Sequence, residues 1–453
     1  QSVVLVAVAD EYVVLIGHDV GLLRIREYGR PLTLSGLPRV SVGSHRLLNM
    51  PVPPILDVYV VWHPGDAAGE GILRRLHDHF HSQTYSGLAG GAVEVYGRSA
   101  AWETSGSAPR PLPLPGGTHE VVQPAQFAAV IPVLGRALRD AAETDTTWAD
   151  YIRACVGARG SAVVVLPVLA PGGVNLDGSV LGAALSSTMR LPVESVTVAG
   201  LLERSVAQAI AQLAAGPTSR IKVFVSHTKH NSAAEGAVDP PVFEQVRAAI
   251  SNSKLAEFFD AHDLQPGSDW AADLTHEARS SALLMVRSDK YASREWTQRE
   301  VLVAKRHDVP IVGLIALVDG EARGSFLMDH VPTVPFARGD SGASIEKALD
   351  RLADEVLKRA LWTAQSSYIG AQGFDWLPVH APEPVTTVEW LARHKAEDAE
   401  DEHLLVIHPD PPLGPDERIV LDEMCAVAGF NGRVDILTPR TFALRGGEVS
   451  YGQ

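Results

Sequence analysis

The chain has 453 residues, 46% of them hydrophobic, with 39 lysines and arginines against 54 aspartates and glutamates for a formal net charge of −15. That length accommodates two or three domains, and no apolar run approaches the ~20 residues of a membrane-spanning helix, so a soluble globular protein is expected. The acidic balance argues against a general nucleic-acid binder, which needs clustered cations, and the two distant cysteines, Cys155 and Cys425, argue against a disulfide framework or a zinc site.

Few cysteines also point to a reducing, cytoplasmic setting. No signal peptide is recognisable, and a chain opening on Gln1 rather than methionine is expected to have lost something at its start. The Ala, Arg, Val and Gly richness matches a high-GC bacterial sequence.

Residues 1–56 alternate short Val/Leu-rich runs with Gly and Pro and read as a β-rich segment. From Asp57 the pattern changes. DVYVVWHP reads as a buried strand, and GEGILRRLHDHFHSQ as a helix with Ile72, Leu73, Leu76 and Phe80 on one face. GGAVEVYGRS is a second strand, Pro109–Pro115 a Pro-rich loop, FAAVIPVLG a third strand, WADYIRACVG a helix and SAVVVLPVL a fourth strand. Strands alternating with helices imply a parallel sheet with right-handed crossovers. LLERSVAQAIAQLAA, Leu201–Ala215, is a helix that leads through Gly216-Pro217 into the next unit.

Ile221–Leu314 is the most informative stretch. It reads IKVFVSHTKHN, then FFDAHDLQPGSDW, then SALLMVRSDKYASREWTQREVLVAKRHDVPIVGL, so hydrophobic strands end in polar loops. One loop runs into a helix carrying Trp296 and Glu300, one turn apart and therefore on one side. Open α/β sheets bind ligands at such strand ends. An aromatic face beside one carboxylate suits a flat, cationic ring-bearing substrate.

These pieces resemble a TIR (Toll/interleukin-1 receptor) domain of the bacterial kind, several of which cleave NAD. Val223–His227 match the first strand and its loop, Phe258–Trp270 the second strand and the BB loop. Ser293–Glu300 match the start of the helix, and Pro310-Ile311-Val312 the opening of the next strand. The likeness covers roughly residues 220–340. It implies a flavodoxin-like fold, parallel sheets with helices on both faces, and Glu300 as the catalytic carboxylate. It further implies substrate contacts from Ser226, His227, Thr228, Trp270, Tyr291 and Trp296, with NAD as substrate and neither cofactor nor metal. Residues 57–215 mirror the order closely enough to read as a second, degenerate TIR-like unit, in which Trp148 is followed four residues on by Ile152 rather than a carboxylate.

The chemistry explains the choice of glutamate. Breaking the nicotinamide–ribose bond builds positive charge on the ribose, as in glycoside hydrolysis. Nicotinamide leaves neutral, so no general acid is required, and one preplaced carboxylate can stabilise the cation. Each residue also has a plainer reading. Glu300 could be a solvated helix-surface group, Trp296 and Trp270 core aromatics, His227 a histidine satisfied by backbone. Ser293 reads as the N-cap and Glu295 as a charge favouring the helix dipole. His230-Asn231 stands where the family commonly has an acidic residue. Pro266-Gly267 is a turn signature. The alternating His77, His79 and His81 do not share one helix face.

Beyond that domain, read as 218–362, Ile345, Leu349, Leu352, Val356 and Ala360 mark an amphipathic helix. Residues 363–402, with the acidic KAEDAEDE, read as a linker, and 403–453 as one more β-α-β unit. That unit resembles the lead-in to a SLOG nucleotide-sensing domain in some bacterial TIR proteins, and the chain stops about where that domain would begin. The resemblance implies an antiviral defence effector that self-associates, even into filaments, through its TIR units and BB loop under a nucleotide signal or other activator. It implies no nucleic-acid or membrane partner. A non-enzymatic adaptor and a nucleotide sensor without turnover remain the alternatives.

Overall fold

The computed structural model describes residues 3–8, 11–16, 55–85, 93–100, 108–116, 124–215, 221–229, 232–237, 240–252, 259–263, 281–370, 382–396, 404–409, 412–430, 434–438 and 441. Two compact units divide the chain, 1–49 and 50–453. In the first, β1 (Val3–Val8) and β2 (Glu11–Ile16) pair antiparallel, with Val3 opposite Ile16 and Val8 opposite Glu11.

The second unit holds two parallel sheets. The first begins with β3 (Leu56–Val61), whose six residues are all buried, as expected of a strand covered on both faces. It continues through α1 (Ala68–Phe80), β4 (Val93–Arg98), β5 (Phe127–Leu134), α2 (Arg136–Thr144) and α3 (Thr146–Gly157). Helix α1 buries Ile72, Leu76 and Phe80 as its periodicity predicts. Helix α2, unforeseen from the residue pattern, buries Leu138 and Ala142. The expected fourth strand is split into β6 (Val163–Val165) and β7 (Val168–Leu169). Pro167 lies in the break, where it withholds an amide from the ladder. Short helices α4 (Val180–Ala184) and α5 (Glu194–Thr197) precede α6 (Leu201–Ala215).

The second sheet comprises β8 (Ile221–Ser226), β9 (Phe259–Asp263), β10 (Ser281–Arg287), β11 (Ile311–Ile315) and β12 (Thr333–Pro335). Among the described residues, its α-helices are α7 (Val242–Asn252), α8 (Glu295–Arg306) and α9 (Ser341–Gly370). The strand orders are β4-β3-β5-β6 and β9-β8-β10-β11-β12. Numbered within each sheet, both read 2-1-3-4, the flavodoxin-like winding, and the second adds a fifth strand.

One apolar core runs between the sheets. It joins Val58, Ile72 and Leu76 to Val206 and Ile210 of α6, Val223, Val225 and Leu284 of the second sheet, and Ile345, Leu352 and Leu361 of α9. Charged groups flank it. Arg75 donates to both oxygens of Glu203 at 2.9 and 2.7 Å, and Arg204 meets Glu346 at 2.6 Å and Asp350 at 2.8 Å. Asp354 accepts from the Tyr85 hydroxyl at 2.7 Å and lies 3.0 Å from His79 Nε2. The stretch read as a linker contains the end of α9, which runs beyond the expected Leu361, and a further helix, α10 (Pro384–Ala396). The chain then forms β13 (Leu404–Ile407), α11 (Pro415–Val427) and β14 (Val434–Leu437), with the strands parallel. No helix among the described residues is long and apolar enough to cross a membrane.

Candidate functional site

The two faces of the second sheet are chemically different. Alternation along β8 sends Val223 and Val225 toward α7 and α9, and Phe224 toward α8, where it packs with Leu283, Met285, Tyr291, Val301 and Ala304. Ser226, the last residue of β8, continues the α8 side. It is fully buried, and its hydroxyl lies 2.5 Å from the Tyr291 hydroxyl and donates to Glu300 Oε2. With Ser226 donating to the carboxylate, Tyr291 donates to Ser226, giving a chain Tyr291→Ser226→Glu300.

Helix α8 places the carboxylate. Thr297 Oγ1 donates to the carbonyls of Tyr291 at 2.6 Å and Arg294 at 3.0 Å, and Gln298 Nε2 donates to Ala292 O at 2.7 Å. These bonds tie the first turn to the loop leaving β10. The expected cap, Ser293, instead donates to Lys290 O at 3.0 Å. Arg294 holds the cap position without a side-chain capping bond. Glu295 in the first turn and Lys305 and Arg306 in the last suit the helix dipole.

Glu300 is only 1% exposed, which overturns the reading of a solvated helix-surface group. Burial pushes its carboxyl up to about 7, against the partial pull of Ser226 and Trp296. The half-buried Trp296 keeps its indole nitrogen buried near the carboxylate without completing a hydrogen bond, so its pull is that of a neighbouring dipole. Burial likewise raises the Tyr291 phenol and keeps it neutral.

His227 and Thr228 fall elsewhere. His227 stacks on Phe243 of α7, with ring centroids 3.4 Å apart and 13° between the planes. Both residues line a cavity of about 350 Å³ with Lys229, Glu235, Phe243, Val286, Ser288, Ala316, Val318 and Arg338. Glu300, Tyr291, Trp296 and Ser226 do not line it. Of the expected site residues, the structure thus gathers Ser226, Tyr291, Trp296 and Glu300 and sets His227 and Thr228 on the opposite, α7, face. Trp270, residues 264–270 of the BB loop and His230-Asn231 lie outside the described residues.

A carboxylate cluster absent from the sequence reading holds the strand-end loops. Asp289 accepts from the amides of Val318 at 2.8 Å and Gly320 at 3.1 Å, and from Ser232 Oγ at 2.7 Å. Glu235 accepts from the amides of Ser232 and Asp289, each at 2.6 Å. Gly320 has φ +92°, a conformation that lets its amide turn back onto the carboxylate. Burial alone would raise the Asp289 carboxyl, but the hydrogen bonds outweigh it and the pKa is lowered. The only sequence signal was an Asp just after a hydrophobic strand.

Residues 223–352 match the family model described as the TIR domain. This segment is a TIR domain. The match spans β8 to the middle of α9, and the chain matches no curated protein. In the first sheet, Val61 ends β3 where Ser226 ends the TIR domain's β8. Trp148 and Ile152, both fully buried, lie on α3 between the third and fourth strands with the same four-residue spacing as Trp296 and Glu300.

Proposed function

We propose that the TIR domain cleaves the nicotinamide–ribose bond of NAD, with Glu300 as the catalytic carboxylate. The observation that carries this reading is the placement of Trp296 and Glu300 one turn apart at the start of α8, with the carboxylate held by Ser226 at the carboxyl end of β8. In the reaction the C1′–N bond breaks and its electron pair leaves with nicotinamide. Ionised Glu300 stabilises the ribosyl cation, and Trp296 offers a face to the pyridinium ring. Water captures C1′ and releases a proton, giving ADP-ribose, or an internal nucleophile captures it, giving a cyclic isomer. Ser226 and Tyr291 orient the carboxylate from behind, and Trp270 is proposed as a ring contact on its family resemblance. NAD is substrate, and no metal or cofactor is invoked.

By the same resemblance, the protein acts as a self-associating cytoplasmic effector in bacterial antiviral defence, with the first α/β half a silent scaffold. That α3 carries the apolar, fully buried Ile152 four residues after Trp148, where α8 has a carboxylate after Trp296, supports that silence. Incubating the full chain with NAD and following nicotinamide release tests the proposal, and no release at any protein concentration rejects it. One observation favours a second reading, a non-enzymatic scaffold or nucleotide sensor: Glu300 is buried and hydrogen-bonded as a structural carboxylate is.

A further inference from the structure

The cavity on the α7 face lies at the topological switch point of the TIR sheet. From β8 the winding goes one way to β9 and the other way to β10, and doubly wound sheets bind ligands where the strand order reverses. His227 to Lys229 leave β8 there, while Val286 and Ser288 end β10. Its volume of about 350 Å³ falls in the range of small-molecule pockets.

The lining separates by chemistry. Val286, Ala316 and Val318 form an apolar floor able to bury one face of a ring. Ser288 Oγ is buried and has no hydrogen-bond partner among the described residues, so a polar ligand atom would relieve a cost already incurred. At the mouth stand two exposed cations, Lys229 and Arg338, neither in an ion pair among the described residues. The amino end of α7, Val242 to Glu244, opens onto the same space, and free helix amides favour an anion. Glu235 is occupied by two backbone amides, which leaves the exposed Glu244 as the carboxylate available for hydroxyls.

We propose that this cavity binds a mononucleotide: base on the apolar floor, ribose hydroxyls toward Glu244, phosphate between Lys229, Arg338 and the amino end of α7. The site is separate from the Glu300 cluster, which packs against the other face of the sheet, and the proposal does not depend on NAD cleavage. His227 and Thr228 then serve this second ligand.

Calorimetric titration of the full chain with AMP, with adenosine and with inorganic phosphate tests it, and nicotinamide release is not read. AMP should bind with a dissociation constant below about 1 mM, and adenosine and phosphate each at least about tenfold more weakly. Arg338→Glu and Lys229→Glu, both at exposed positions that leave the fold intact, should each weaken AMP by about tenfold or more. Glu300→Gln and Trp296→Ala should leave AMP binding unchanged. Absence of saturation, wild-type affinity in either charge reversal, phosphate binding as tightly as AMP, or loss of binding in Trp296→Ala would each overturn the assignment.

Discussion

Ser226 and Glu300, 74 residues apart in sequence, share a hydrogen bond in the interior of the TIR domain, where neither side chain reaches solvent. The bond couples the end of the first strand of the sheet to the second turn of α8. It makes the carboxylate a fixed charge rather than a mobile surface group. Glu300→Gln keeps the shape and an acceptor for Ser226 while removing that charge. NAD cleavage should fall by about 10²–10³, the usual cost of deleting one preorganised electrostatic group. The protein should still unfold cooperatively, as read by thermal denaturation. A well-folded Gln variant with near-normal nicotinamide release would remove Glu300 from the mechanism.

The pH dependence has a defined sign. Burial raises the Glu300 carboxyl to about 7, and only the ionised form can oppose a ribosyl cation. Cleavage should therefore rise through an acid limb near pH 7 and plateau above it. Ser226→Ala removes a bond that lowers the pKa, so the limb should move to higher pH, a shift that a purely structural loss would not produce. Stability runs the other way. A carboxyl raised on folding leaves its contribution intact below about 4.5, and that contribution is lost as pH rises toward 7, by about 3 kcal/mol. Glu300→Gln should flatten this slope, as measured by denaturant unfolding from pH 4 to 8.

The sheet elements were legible because strands covered on both faces are written as continuous apolar runs. DVYVV, FAAVIPVL and ALLMV each lie in a buried strand. The Trp296–Glu300 pairing was legible because helix geometry fixes residues four apart. The split of His227 from Ser226 was legible only as strand alternation, which the resemblance to a single ligand pocket overrode. The depth of Glu300 was not visible at all. Its burial depends on Tyr291 and Ser226 from two other elements, and sequence spacing carries no information on that. Asp289 escaped for the same reason, since its partners sit on loops 57 residues upstream and about 30 downstream.

Asp289 should matter for stability out of proportion to its place on a loop. Its carboxylate gathers the amides of Val318, Asp319 and Gly320 with the Ser232 hydroxyl. Charge-assisted bonds of this kind contribute about 1.5–3 kcal/mol each before non-additivity. Asp289→Ala should destabilise by about 2–4 kcal/mol and expose the 318–320 amides to hydrogen exchange first. Unchanged protection of those amides would contradict the clamp.

The two α/β halves should behave as one cooperative block. Arg204, 6% exposed, faces Asp350 and Glu346, and burial together with the neighbouring carboxylates raises Asp350 to about 6 despite the guanidinium. Removing Arg204 leaves two half-buried acids without their counter-charge. Arg204→Ala should cost about 1–3 kcal/mol at pH 8, because the acids it leaves unpaired are partly solvated. The loss should be smaller at pH 5, where Asp350 is protonated. Two separate unfolding transitions in the wild-type chain would show that the shared core does not couple the halves.

Burial of Glu300 also bears on assembly. A carboxylate 1% exposed within a single chain cannot touch a dinucleotide until the site opens, and the opening must be stabilised by something that prefers the open form. We propose a second copy as the candidate, because TIR domains commonly self-associate and the sequence Asp263-Leu264-Gln265-Pro266-Gly267 resembles a BB loop. Head-to-tail contact through one such loop produces filaments unless rotation closes a ring. Specific activity should therefore rise with protein concentration, and Pro266→Asp or Gly267→Arg should reduce association and nicotinamide release together. Light scattering beside an activity series over a hundredfold dilution decides the point. A monomer throughout, with constant specific activity, would mean that one chain opens its own site and that the copies act independently.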